Sequence, residues 1–203
     1  MNLPSVPMLL KRAKALAVFE IILSPDWERR TYSFDANWAP DQVMASMRNG
    51  SGDEWWMVFH KSGCAALKGF GHESVAWSKG KAKLADSLKA VFPPELNEFT
   101  QEPAFQWDAT TFAYFCISPP SGWIRANDLT LFADISDTGE ETLLRHLIGT
   151  PKEYASFASA YHETPVSIEI VSAVFGQEPL TKAMVQELNS EISLEDIASD
   201  LSW

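Results

Sequence analysis

The residues best equipped for chemistry fall within one short span: Asp53, His60, Cys64 and the run His72-Glu73-Ser74, in and around glycine-rich segments at 50–54 and 68–73. A thiol beside an imidazole is a start for nucleophilic catalysis. His60 and His72, meeting across neighbouring loops and joined by Asp53 or Glu73, would suit a metal ion. Each pattern lacks a part. Cys64 lies on a hairpin strand next to Ala65 and Ala66, with no cation or helix N-terminus to make a thiolate. Ser74 has no G-x-S-x-G context. The histidines, at 60, 72, 146 and 162, form no H-x-x-x-H or H-E-x-x-H pair. Neither glycine-rich segment has the strand–glycines–helix order of a P-loop or dinucleotide site. Lys79, Lys81 and Lys83 read as a solvated helix face. No catalytic residue, metal or cofactor is therefore assigned. The simpler reading is that His72 and Glu73 close a loop by bonding to backbone. A small hydrolase or metal-assisted enzyme using His72, Glu73 and Asp53 stands as the alternative.

The elements that would position these residues are legible. Leu9, Leu16, Phe19 and Leu23 are spaced for a helix over 8–23, stopped by Ser24-Pro25-Asp26. "RRTYSFDANW" alternates, with Tyr32, Phe34, Ala36 and Trp38 on one side of a half-buried strand. "QVMASMRN", "EWWMVFH" and "CAALKGF" follow as strands, joined by the turn-forming "NGSGDE" and by "KSG" with its glycine last. "SKGKAKLADSLKAVF" is an amphipathic helix closed by Pro93-Pro94, and residues 95–107 look irregular. "TTFAYFCI" is a strand, "SPPSG" a turn, "WIRA" a return and "TLFADI" at 130–135 another strand. Thr138 to Glu141 and Thr150 to Glu153 carry capping-box patterns, and the helix opened by the first stops at Gly149. "PVSIEIVSAVFG" is open between strand and helix; "LTKAMVQELN" and Ser193 to Asp196 open short helices. The expected fold is α+β: an N-terminal helix, an antiparallel meander and a helical C-terminal third. A boundary near 137 divides 1–137, the sheet with its helices, from a helical cap or subdomain at 138–203, unless the two are continuous.

Composition narrows the function classes. Residues 1–92 carry 12 Lys/Arg and 9 Asp/Glu, whereas residues 93–203 carry 4 against 18. An acidic half repels nucleic acid and attracts basic partners. Glu187, Glu191, Glu195, Asp196 and Asp200 are the acidic residues expected to meet such a partner. Cys64 and Cys116 are too few for a disulfide framework and fit buried, reduced thiols. The apolar run Ala15–Leu23 is short, interrupted by Glu20 and followed by no cleavage site, so neither a leader nor a membrane span is expected and the chain reads as cytoplasmic. Trp55 and Trp56 are neighbours on one strand and must face opposite sides. If helices cover one face, the other ring is covered by residues 95–107 or by a partner, and Trp55 is taken as the partner-binding aromatic.

The strings "ASMRNGSGDEWWMVF" and "GCAALKGFGHES", with "PKEYASFASAYHE", "PLTKAMVQELN" and "SLEDIASDL" in the tail, resemble a family of small bacterial cytoplasmic proteins. That family is associated with immunity proteins, the cognate inhibitors of polymorphic or contact-delivered toxins. The resemblance spans nearly the whole chain and assigns no residue a role. It implies a non-enzymatic inhibitor that binds a basic toxin domain. An adaptor subunit of a constitutive complex is a further alternative.

Overall fold

The structure, a computed structural model, describes residues 1–117 and 122–202. Residues 118–121 of the "SPPSG" turn and the side chain of Lys81 lie outside the described residues. Helix α1 (Val6–Leu23) leads through a 3-10 turn at Trp27–Arg29 into strands β1 (Tyr32–Ala39), β2 (Gln42–Arg48), β3 (Glu54–His60) and β4 (Ala65–Phe70). Helix α2 (Val75–Ala90), a 3-10 turn at Pro94–Leu96, α3 (Asn97–Gln101) and a second 3-10 turn at Pro103–Phe105 precede β5 (Phe112–Cys116) and β6 (Ile124–Arg125). The C-terminal third holds α4 (Glu140–Leu143), α5 (Arg145–Ile148), α6 (Pro151–Tyr161), α7 (Ile168–Phe175) and α8 (Lys182–Leu188). No helix among the described residues is long and apolar enough to cross a membrane.

The six strands lie side by side in chain order, each antiparallel to its neighbours. The expected meander thus extends through β5 and β6, and the fold is α+β. Period-two alternation sends Trp55, Met57 and Phe59 to one face, with Leu67, Phe112 and Tyr114, against α1 and the C-terminal helices. Trp56 and Val58 go to the other face, against α2 and the aromatic segment from Phe92 to Trp107. Burial of both faces explains why β3 and β4 read as nearly unbroken apolar runs. Leu147, Tyr154, Val171, Val185 and Ile197 belong to the same buried cluster as α1 and the first sheet face. Residues beyond 137 therefore complete the sheet's core. Helix α1 packs against β1, α5, α7 and α8, and its second half, residues 15–22, is apolar nearly all round because neighbours surround it there.

Several local expectations are corrected. Asp35 faces Met44 and Ala39 faces Gln42, so four steps along β1 match two along β2. This bulge breaks the alternation, and Trp38 stacks on Phe105 at the second face instead of following Phe34 to the first. "TLFADI" forms no strand. The Asn127 side chain accepts from Ala113 N at 3.2 Å and donates to Thr111 O at 3.0 Å, occupying the edge of β5 that such a strand would extend along. The chain leaves the sheet in a 3-10 turn, Ala126–Leu129, and Leu131 is 96% exposed.

Thr138 makes no cap: Gly139 is the N-cap of α4, at φ 83°, and its Cα approaches that of Gly71 closely. Glu140 is turned inward to accept from Tyr114 and Arg125 instead. Thr150 does form the full capping box with Glu153, and "SIEIVSAVF" is helical, capped by Ser167. Ser193 and Asp196 make capping contacts at 2.8 and 3.3 Å, but the segment after them is a series of turns and not a helix.

Candidate functional site

Strand pairing brings the turn before β3 against the loop after β4, and with it Asp53 against His72. Asp53 Oδ1 accepts from the His72 backbone N–H at 3.0 Å and meets Nδ1 at 2.8 Å, while Asn49 Nδ2 donates to Oδ2 at 2.9 Å. The hydrogen bond to Asp53 raises the His72 pKa against the opposing effect of desolvation. Burial pulls the Asp53 pKa upward, but the bonds from His72 and Asn49 outweigh it and leave it lowered. Glu73 is 90% exposed at its side chain, 3.8 Å from His72 Nε2. Ser74 caps α2: its hydroxyl donates to Gly71 O at 2.7 Å and accepts from Trp77 N at 3.2 Å. The run His72-Glu73-Ser74 is thus a helix entry pinned to a hairpin turn. The Ser74 hydroxyl proton is thus committed to the helix cap and not to His72.

Cys64 and His60 line one cleft, at the end of the β3–β4 hairpin. His60 Nδ1 is held by Ser62 Oγ at 2.7 Å, and the Cys64 thiol donates to Ile117 O at 3.2 Å. The charged groups lining that cleft are carboxylates, Glu95 and Glu98, and not the cation that activates a thiolate. Among the described residues no three His, Cys, Asp or Glu side chains are grouped as a metal centre requires.

The partner-binding residues divide. Trp55 is 1% exposed and its Nε1–H donates to Leu143 O at 3.1 Å, so its ring is core and cannot be the anchor. Trp56 is covered by Phe105, one of the residues of 95–107 expected as its cover. Among the described residues the tryptophan that faces solvent is Trp27, 67% exposed on its 3-10 turn. Arg30 ties this turn to the acidic tail, bonding Ser24 O, Pro25 O and, at 2.7 Å, Asp200. Asn189 Nδ2 donates to Ile22 O, which brings the end of α8 to the same corner. Glu187, Glu191, Glu195, Asp196 and Asp200 are all exposed. Three of them also hold the tail: Asp200 pairs with Arg30, Glu195 with Lys182, and Asp196 with Ser193. Trp27 was hidden from sequence reasoning because a lone tryptophan between Asp26 and Glu28 belongs to no periodic run.

Sequence reasoning also missed a buried polar cluster between α1, β1 and α6. Glu20, fully buried, accepts from Thr31 N at 2.8 Å and lies 3.5 Å from His162 Nε2. Thr31 Oγ1 donates to Tyr161 OH, and Tyr32 OH shares a 2.8 Å hydrogen bond with His146 Nδ1. Burial, and then the charge of Arg145, lower the His146 pKa to about 4. A histidine whose folded pKa lies below its unfolded value near 6.5 stabilises the fold above pH 6.5. That contribution is lost as the pH falls through 4. Discounted for partial exposure, urea unfolding should show a loss of about 2 kcal/mol between pH 7 and pH 4. His146→Gln should flatten this dependence, and an unchanged slope in the variant would exclude His146 as its source.

Comparisons of the chain with protein-family models, with curated proteins and with solved structures returned no match.

Proposed function

We propose that this protein is a non-enzymatic binding protein of the bacterial cytoplasm, an immunity-type inhibitor that neutralises a cognate toxin with a basic surface. The observation that carries the reading is the corner where Trp27 stands exposed beside the acidic tail, locked there by Arg30 and Asp200. An exposed tryptophan flanked by carboxylates suits a partner surface rich in Lys or Arg, through ring contacts and charge together. The charge speeds encounter, and the ring supplies residence time. The engagement of Ser74 and Cys64 in structural hydrogen bonds favours this reading over the hydrolase alternative. Nucleic acid is disfavoured as a partner by the same acidic field.

The test is capture of partners by the tagged protein from its source cell at low and high salt, followed by association kinetics with the captured basic protein. Glu187→Lys with Glu191→Lys should slow association about tenfold at low salt without altering stability. Trp27→Ala should weaken binding by about 2 kcal/mol, mainly through faster dissociation. A captured partner whose kinetics ignore all three changes would remove this face from the function. A captured partner that is not toxic, and forms a constant complex, would make the protein an adaptor subunit.

A further inference from the structure

Two depressions adjoin on the second sheet face, away from the C-terminal helices. One, about 350 Å3, lies between the β3–β4 hairpin and the segment running from Glu95 to Phe99. The other, about 300 Å3, lies between the end of β1 and the stretch from Glu98 to Phe105. They share Gln42, Val58, Glu98 and Phe99, and so form one groove, each half at the small end of the range of ligand pockets, roughly 300–1,000 Å3. Its floor is apolar, with Val58 and Phe99 buried beneath it. Its carboxylates are Glu95 and Glu98 in the first half and Glu98 and Glu102 in the second. His60 also lines the first half, and among the described residues no Lys or Arg lines either. Gln42 Nε2 donates to Glu98 Oε2 at 2.9 Å and holds this shared carboxylate at the junction. The half-buried ring of Trp38, stacked on Phe105, walls the second half and sets an aromatic surface beside Glu98 and Glu102.

An apolar trough with carboxylates at both halves and an aromatic wall matches a methylene chain bearing ammonium groups. The chain would lie on Val58 and Phe99, and the charges would meet the glutamates and the Trp38 ring. We propose that this groove binds an aliphatic dication, with one ammonium in each half. The same chemistry could come from a free diamine or from adjacent lysine side chains of a bound protein. The proposal is separate from the partner-binding corner, which is formed by other elements.

Cys64 provides the readout, because it lines the first half whereas Cys116 is 0% exposed. Alkylation of Cys64 in the full chain, followed by mass spectrometry, should slow about threefold at a cadaverine concentration twice its Kd, since protection follows one plus the ratio of ligand to Kd. Pentanediol, the neutral analogue, should give no protection. Glu98→Gln should abolish protection, read as the ratio of alkylation rates with and without cadaverine in the same variant, and Glu95→Gln should weaken it. A blocked Lys-Lys dipeptide run in parallel separates the sources: stronger protection by the peptide assigns the groove to a protein's side chains, and stronger protection by cadaverine to a free diamine. Absence of protection by both, equal protection by the diol, or full protection in Glu98→Gln would each overturn the proposal.

Discussion

Lys68→Ala is expected to destabilise the protein by about 3–5 kcal/mol, the range for removing one member of a buried ion pair. Lys68 sits on β4 with its side chain fully buried, and burial lowers its pKa against the opposing pull of Glu54. Its ammonium meets Glu54 Oε1 at 3.0 Å, Phe105 O at 2.6 Å and Ala109 O at 2.9 Å. Gln106 O lies at 3.5 Å as a fourth, weaker acceptor, and all four would lose the ammonium at once. The carbonyls belong to the loop that turns at Gln106, a non-glycine residue held at φ 45°. Lys68 therefore fastens the aromatic segment over Trp56 and, with it, the Phe99 and Phe105 wall of the groove. Lys68→Arg should not rescue, because a planar fork cannot reproduce three convergent bonds from one atom. Lys68→Met combined with Glu54→Gln should lose less than the alanine variant, since no unpaired charge remains. Chemical denaturation of the set decides: a loss under about 1 kcal/mol for Lys68→Ala would mean that the loop is held by its apolar contacts alone.

The contrast between Lys68 and Trp55 shows how far the sequence could be read. Alternation within "EWWMVFH" correctly places Trp55 and Trp56 on opposite faces, because side-chain direction in a strand is local. Turn glycines and the Thr150 capping box are legible for the same reason. Whether a face is covered is not local. Trp55 is buried by helices some 90 residues further along, with its indole bonded to Leu143 across 88 positions. The partners of Lys68 lie 14, 37, 38 and 41 positions away, and the one sequence clue was a lysine inside an apolar strand. Glu20 left a similar clue, a carboxylate interrupting an apolar helix, and proves to be buried against Thr31 and His162. A charge inside an apolar run is thus the residue to suspect of a buried partner. The acidic residues of the tail stayed at the surface, whereas Glu140, in equally polar surroundings, is buried against Tyr114 and Arg125 and left no such clue. The expected strand at 130–135 failed differently: its composition suits a strand, but Asn127 already occupies the sheet edge it needed.

Gly69→Val is expected to cost about 3 kcal/mol, at the upper end of overpacking penalties. Gly69 pairs with Trp55 on β3 and with Phe112 on β5 in the middle of the sheet. Its backbone is ordinary, without the positive φ that favours glycine at Gly63 or Gly139. What requires glycine is space: a Cβ there would overlap the Phe112 ring, and even the farthest of the three nearest ring atoms, Cε2, would lie 2.6 Å away. Phe112 is 0% exposed, in the core shared by α1 and the sheet, so the ring cannot swing aside without moving its neighbours. The two positions should therefore be coupled. Phe112→Ala alone should cost about 3–5 kcal/mol through the cavity it leaves. Gly69→Val added to it should cost little, because the valine then fills vacated volume. The coupling energy should be about 1–3 kcal/mol in favour of the double variant. Strict additivity would place the glycine requirement in the backbone and refute the steric account. Because Thr111 N donates to Gly69 O at 2.9 Å, the same crowding would also disturb the Thr111 side chain that links Gly71 to the chain at Thr138. Gly69→Val should accordingly accelerate amide exchange at Gly71 and at the N-terminus of α2, while Phe112→Ala with Gly69→Val restores protection there.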